Sequence, residues 1–303
     1  MTPQFPHFKK LAIDDKHIIG DFVSQFPPYS DYNFVSMWSY NVNDQAEWTF
    51  LNDNLVLKFH DYMTGLPFLT LLGKNEIKNS IHKLHQHAKD IGIEPTLQLI
   101  PEIVTQAEKT LFNDFHIQED VDGHDYILAT DRVHALQGKK YRGKKNFVAR
   151  FLRKHPKHIV KEIDLKDTKT HEEIVGVFIE WEKSQGRDRA DTNTELMAVQ
   201  RLLRSAEHFE LFCLGLYIDG KLVGFSINEA IHDNHGIIHF EKADVTYEGI
   251  FPFLKQKSAE YFKKLGRSHI NYEQDLGIEG LRKAKQSWGP VHYLKKYKVF
   301  PKK

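Results

Sequence analysis

The chain has 303 residues, of which 41% are hydrophobic and 12% aromatic, enough apolar volume for two separate cores. A mean hydropathy of −0.50 and the lack of any apolar run of about 18 residues exclude a membrane-spanning helix, and the first ten residues carry no signal-like apolar region. The formal net charge is +1 and Cys213 is the single cysteine, which excludes an intramolecular disulfide and, with no export signal, points to the cytoplasm.

In chain order, residues 47–51 and 55–62 read as strands around the turn Asn52-Asp53-Asn54, and 66–72 as a third strand. Residues 76–91 read as a helix with Ile77, Ile81, Leu84, Ala88 and Ile91 inward, closed by Gly92. Residues 96–100 are a strand, and Pro101 suits a helix start before 102–112. Residues 116–129 hold the last strands of this half, split near Asp122-Gly123. Residues 132–161 carry eleven Lys/Arg and no acid, against 31 basic and 41 acidic residues elsewhere, a net of −10. This segment is expected to open the second half as a helix. Helices follow near 171–184 and 194–206.

The second half then repeats the order of the first. Residues 211–218 and 221–231 flank the hairpin turn Asp219-Gly220. Residues 236–242 form a third strand after the turn at Asp233-Asn234. Residues 250–265 have a helical apolar period at Phe251, Leu254, Tyr261, Phe262 and Leu265. Residues 269–274 are a strand, 279–288 a helix with Leu281, Ala284 and Trp288 on one face, and 291–299 a final strand or hairpin remnant. Two matching orders imply one fold duplicated, with domains at 1–131 and 132–303. Each is expected to be α/β, a mixed and mainly antiparallel sheet flanked by helices.

Three stretches resemble a known family: Gly138-Lys-Lys-Tyr-Arg-Gly-Lys-Lys-Asn-Phe, Phe240-Glu-Lys-Ala-Asp, and Asn271-Tyr-Glu-Gln-Asp-Leu-Gly-Ile-Glu-Gly-Leu-Arg-Lys-Ala-Lys. They are similar to the C-terminal domain of phosphatidylglycerol lysyltransferases, and the likeness covers nearly the whole chain. It implies two tandem GNAT-like (N-acetyltransferase-like) folds. It also implies transfer of an amino acid from aminoacyl-tRNA to a lipid headgroup or, in related peptidoglycan-bridge ligases, to an amine. The membrane-embedded flippase portion of the full lysyltransferases is not among these residues, which counts against a lipid acceptor.

Acyl transfer to an amine requires a proton acceptor, a polarised carbonyl and a held donor. By analogy of fold, donor and acceptor would meet where the third and fourth strands splay apart. Glu241, at the end of the third strand, is the candidate general base, although an ion pair with a neighbouring Lys or Arg is the more ordinary reading of such a carboxylate. Lys242 shares that ambiguity. Strand alternation would place Asn271, Glu273 and Asp275 on one side and Tyr272 and Gln274 on the other. Glu241 and Asp275 are therefore the catalytic candidates, and Lys242, Asn271, Tyr272 and Gln274 the substrate-binding ones. Arg282 and Lys285, three apart on a helix, with Lys139, Arg142 and Lys145 of the basic run, would hold donor phosphates.

Partners of that chemistry are tRNA or an anionic lipid surface, and a solvated helix face is the plain alternative. An acetyl-CoA site would need a glycine-rich turn before residue 250. Val245-Thr-Tyr-Glu-Gly-Ile-Phe-Pro keeps one glycine, Gly249, and adds Glu248, so acetyl-CoA is disfavoured against aminoacyl-tRNA. No metal is expected, because the 18 histidines show no ligand spacing: His82, His85 and His87 share a helix with His87 turned away. Arg187, Asp188 and Arg189 form a charged loop after Trp181. A binding module for an anionic ligand or headgroup, without turnover, is the alternative to an enzyme.

Overall fold

A computed structural model describes residues 2–61, 64–108, 110–184 and 190–302, with the side chains of 190–192 not described. In the first half β1 (Lys9–Lys10), α1 (Lys16–Val23) and α2 (Phe34–Tyr40) precede a meander of β2 (Glu47–Leu51), β3 (Asn54–His60) and β4 (Pro67–Leu72). Helix α3 (Ile77–Asp90) crosses to β5 (Leu97–Pro101), and α4 (Glu102–Ala107) and α5 (Leu111–Asp114) lead to β6 (Phe115–Glu119). The chain continues through β7 (Asp125–Ala129), α6 (Thr130–Ala135), α7 (Arg142–Lys154), β8 (Ile159–Ile163), α8 (Thr168–Ser184) and α9 (Ala190–Arg204). A second meander of β9 (Leu211–Ile218), β10 (Lys221–Ala230) and β11 (His235–Ala243) is followed by α10 (Ile250–Lys264) and β12 (His269–Asn271). Helix α11 (Glu279–Gln286) and strands β13 (His292–Leu294) and β14 (Lys296–Pro301) complete the chain.

Turn chemistry explains why these strands pair as they do. Asn52 and Asp53 both take positive φ, as do Asp219 and Gly220, so each hairpin closes in two residues with a twist that matches its strands. Helix α3 buries Ile77, Ile81, Leu84 and Ala88 against the first sheet. Ile91 lies past the last turn and is 43% exposed, not inward as its spacing implies. Leu265 is likewise exposed at the end of α10, which buries Phe253, Leu254 and Phe262 instead.

Among the described residues the two sheets have seven strands each, in the orders β1-β2-β3-β4-β5-β14-β6 and β13-β7-β12-β11-β10-β9-β8. Each is mainly antiparallel and contains a parallel pair joined by a helical crossover, β4 with β5 and β11 with β12. The terminal strands are exchanged, against the linear order expected. β7, read as the last strand of the first half, pairs with β12 of the second sheet. β14, read as the last strand of the second half, lies between β5 and β6 of the first. The reason is burial: Tyr126, Ile127 and Leu128 are nearly or wholly buried, and Leu128 belongs to the second core. Val299 completes the first core. The compact units are accordingly residues 1–125 with 274–278 and 294–303, and residues 126–273 with 279–293.

Candidate functional site

The second unit contains the splayed strand pair. β11 and β12 pair in parallel only from His235 with His269 to Ile237 with Asn271. β11 runs on to Ala243, but β12 stops, and the strand expected to reach Gln274 ends at Asn271. The cause is local. The Asn271 side chain accepts a hydrogen bond from the Glu273 amide at 2.7 Å, and Glu273 adopts φ 54°. An Asx-type turn of this kind takes the chain out of the extended region. The side chains of 271–275 therefore do not alternate across a strand.

A second irregularity shapes the other lip. β10 and β11 keep one register from Gly224 with Ala243 to Ile227 with Phe240, then another from Asn228 with Ile238 onward. His239 is the extra residue of this bulge. The bulge also decides which way Glu241 points. Gly236 lies against Phe262 of α10, and without the extra residue the odd-numbered end of β11 would face away from that helix. With it, Glu241 meets Lys255 of α10 at 3.0 Å.

Two clusters line the gap. In one, His239 Nε2 is 3.1 Å from Glu229 of β10 and its Nδ1 3.7 Å from Glu273. Burial works against charge on this ring, but hydrogen bonding and attraction to the two carboxylates prevail and hold its pKa up at about 9. In the other, the Lys255 ammonium, 1% exposed, lies beside Glu241 and 3.4 Å from the centroid of the Tyr272 ring. Burial pushes Lys255 down, opposed by Glu241. Burial, then Glu241 and Glu273, push the Tyr272 phenol far up, so it stays protonated. Lys285 donates to the Tyr272 carbonyl, its ammonium 4.5 Å from the same ring. One Glu241 oxygen faces Lys255, while its Oε2 is buried without a hydrogen-bond partner among the described residues.

Of the expected site residues, the structure thus brings Glu241, Tyr272 and Lys285 together. Lys242 points to the opposite face, 2.6 Å from Glu195 and 4.3 Å from the Trp181 ring. Asn271 shapes the turn. Gln274 and Asp275 belong to the first unit, where Gln274 donates to Asp31 at 3.0 Å and Asp275 accepts from the Gly277 amide at 2.9 Å. On α11 it is Lys285 that is buried, whereas Ala284, expected inward, is exposed. Arg282 and Lys285 consequently do not form an open phosphate clamp.

The basic run and α11 do meet. Tyr141 Oη donates to the Trp288 carbonyl at 2.6 Å, and Lys144 to the Ser287 carbonyl at 2.6 Å. Lys139, Arg142 and Lys145 are exposed on the same segment. His82 and His85 pack against Phe115, and His87 stacks on Phe8. Arg187, Asp188 and Arg189 lie outside the described residues. The sequence singled out neither His239 nor Lys255 for this site. The only signal for His239 was a histidine within a strand whose neighbours carry carboxylates, and Lys255 reads as an ordinary solvent-facing helix lysine.

The model of the family described as phosphatidylglycerol lysyltransferase, C-terminal, matches residues 25–300. The chain belongs to this family. Among solved structures it is similar to a conserved protein of unknown function from Bacteroides thetaiotaomicron. The identity is 26%, all of both chains is covered, and the TM-score is 0.85. It is also similar to L-PGS from Bacillus licheniformis, with 16% identity, coverage of 95% of this chain and 92% of that one, and a TM-score of 0.61. A tandem GNAT protein from the clavulanic acid biosynthesis pathway shares 11% identity over 97% of this chain and 98% of its own, with a TM-score of 0.50. The fold of this lysyltransferase family member is thus a tandem GNAT-like one, with two mixed sheets flanked by helices. No curated protein is significantly similar to the chain. Among the described residues, no helix is long and apolar enough to cross a membrane.

Proposed function

We propose that the chain is an aminoacyl transferase that moves an aminoacyl group from aminoacyl-tRNA to an amine or hydroxyl acceptor, with the chemistry in the gap of the second unit. The observation that carries this reading is Glu241: one carboxylate oxygen is tied to Lys255 at 3.0 Å and the other is buried with no hydrogen-bond partner among the described residues. Such a carboxylate is fixed in place and keeps one oxygen to accept a proton. The acceptor N–H or O–H gives its proton to Glu241 Oε2 as its nitrogen or oxygen attacks the ester carbonyl. The new C–N or C–O bond forms, the bond to the tRNA ribose oxygen breaks, and the proton passes to that oxygen. Lys255 supplies positive potential while charge builds on the carbonyl oxygen.

Lys139, Arg142 and Lys145 suit the phosphates of the donor's tRNA. Acetyl-CoA fits less well. The backbone at Gly249, just before α10, is so close to α7 that a Cβ there would lie 2.3 Å from the Phe147 carbonyl oxygen. Glu248, paired with Arg150 and Lys154, adds negative charge where a pyrophosphate would need the helix N-terminus.

Thermal unfolding in the presence of a mixed aminoacyl-tRNA pool, uncharged tRNA, acetyl-CoA and anionic lipid micelles tests this reading, because a ligand of the native state raises Tm. A larger shift with aminoacyl-tRNA than with uncharged tRNA is expected. A shift with acetyl-CoA alone would make the chain an acetyltransferase, and a shift with micelles alone would make it a headgroup-binding module. With an active acceptor in hand, Glu241→Gln should slow transfer by about 10²–10⁴-fold with donor binding retained.

A further inference from the structure

The inference concerns the same gap and rests on the transferase reading. His239 is the extra residue of the β11 bulge, which frees its side chain from the alternation that fixes its neighbours. Its ring is only 2% exposed, yet it lies between carboxylates of two distant segments, Glu229 of β10 and Glu273 beyond the end of β12. The parallel ladder stops at Ile237 and Asn271, so the ring spans the place where backbone pairing ends. The other charged groups on the packed elements have partners of their own, Lys242 with Glu195 and Lys255 with Glu241.

We propose that His239 is a positioning residue of this site: as an imidazolium it draws Glu229 and Glu273 to one point and so sets the width and charge of the gap. A doubly protonated ring donates from both nitrogens, whereas a neutral ring donates from one. Losing the proton keeps Nε2 within hydrogen-bond distance of Glu229, at 3.1 Å, but removes the charge that attracts Glu273 across 3.7 Å. The longer contact, at 3.7 Å to Glu273, is the one released, and with it the turn that follows β12. Burial opposes the charge but the paired carboxylates sustain it up to about pH 9, so the tie is intact at neutral pH.

The test combines two measurements on the full chain. Nitrogen NMR of the imidazoles, assigned with His239→Gln, should show both His239 nitrogens protonated at neutral pH and a titration near 9. A neutral ring at neutral pH overturns the proposal. The second readout is the excess thermal shift over uncharged tRNA with a tRNA pool whose amino acids are joined to the 3′ end by a hydrolysis-resistant amide, because the natural ester is cleaved at alkaline pH. In the native protein it should shrink as pH rises through about 9. In His239→Gln it should be reduced at neutral pH and nearly flat, and His239→Arg should restore part of it. A native-like pH profile in His239→Gln overturns the role.

If His239→Gln does not fold, Glu273→Gln decides. It should lower the His239 titration by about one pH unit or more, as loss of an adjacent opposite charge requires, and an unmoved titration overturns the tie. Should the native protein show no excess shift at any pH, the transferase reading fails by itself. Hydrogen exchange at the Glu273 amide then judges the tie. Protection that falls above about pH 9 supports it, and unchanged protection overturns it.

Discussion

The two units use the same frame differently at the point where their parallel strands part. In the first unit β4 and β5 pair at Leu69 and Leu97, and the segment before α2 closes what lies beyond. Tyr32 bonds the Thr70 hydroxyl at 2.5 Å, and Thr70 in turn reaches the Leu99 carbonyl at 3.4 Å. Beside it Lys296, wholly buried on β14, is paired with Asp31 and with Asp125 at 2.7 Å, and Ser30 donates to Asp125 and Gln274. The second unit instead keeps Glu229 and Glu273 about one-fifth exposed beside a buried imidazole, and one Glu241 oxygen without a hydrogen-bond partner among the described residues. A gap filled by its own chain is a structural joint. The second unit's gap leaves two carboxylates partly open to solvent, and the transferase reading places its chemistry beside them.

The sharpest way to break this comparison is Lys296→Met. It leaves two buried carboxylates without their cation and should cost about 3–5 kcal/mol of stability. Burial already raises the Asp31 carboxyl, with Lys296 opposing. Without the lysine, Asp31 takes up a proton more readily, so the loss should be largest at neutral pH and shrink on mild acidification. Chemical denaturation at several pH values reads this. A loss below about 1 kcal/mol would mean the joint is not held by its charges.

The His239 tie gives the next largest effect, of opposite pH sense. Its folded pKa is raised from 6.5 to about 9. Its stabilisation is thus fully present below about pH 6.5 and is lost as pH rises through about 9. At about 1.4 kcal/mol per pH unit, the total is up to about 3 kcal/mol. Stability of the native protein should fall between those limits, and His239→Gln should flatten the profile. A decline of equal size in the variant would place the titrating group elsewhere.

Glu241→Gln should cost less, about 1–3 kcal/mol. Burial already pushes the Lys255 ammonium down, so the stranded amine can shed its proton. Adding Lys255→Met should recover much of the loss, since replacing a buried ion pair by apolar volume is often neutral. If the double variant is as unstable as the sum of the single ones, the two side chains are not coupled.

How far these features were legible depends on their range in sequence. Hairpins announced by Asn52-Asp53 and Asp219-Gly220, and helix α3 with its apolar stripe, follow from residues that contact their own neighbourhood. The exchange of β7 and β14 does not, because the partner of Leu128 is Ile270 and that of Val299 includes Leu97, far away in the chain. Glu241 was legible as a carboxylate near a splayed strand end, and its ion pair as the ordinary alternative. The bulge that turns it towards Lys255 leaves no local mark. Gln274 and Asp275 adjoin Tyr272 in sequence, but Glu273 in a left-handed conformation ends the alternation on which their assignment relied.

The smallest effect on stability should come from the exposed cations, where the units also differ. The lysine of the first unit's joint is buried, whereas Lys139, Arg142 and Lys145 of the second unit stand in solvent. Replacing all three by Ala should move stability by no more than about 0.5 kcal/mol per site. If they neutralise phosphates, the same change should weaken tRNA binding markedly. It should also flatten the dependence of log K on log salt by about 0.9 for each phosphate that goes unneutralised. Lys144 is a useful control, because it is committed to the Ser287 carbonyl and lies 4.8 Å from the Trp288 ring. Lys144→Ala should reduce stability more than binding. Anisotropy of labelled tRNA across a salt series separates the two: an unchanged slope in the triple variant would return this face to the status of a solvated helix and send the search for the donor's phosphates elsewhere in the second unit.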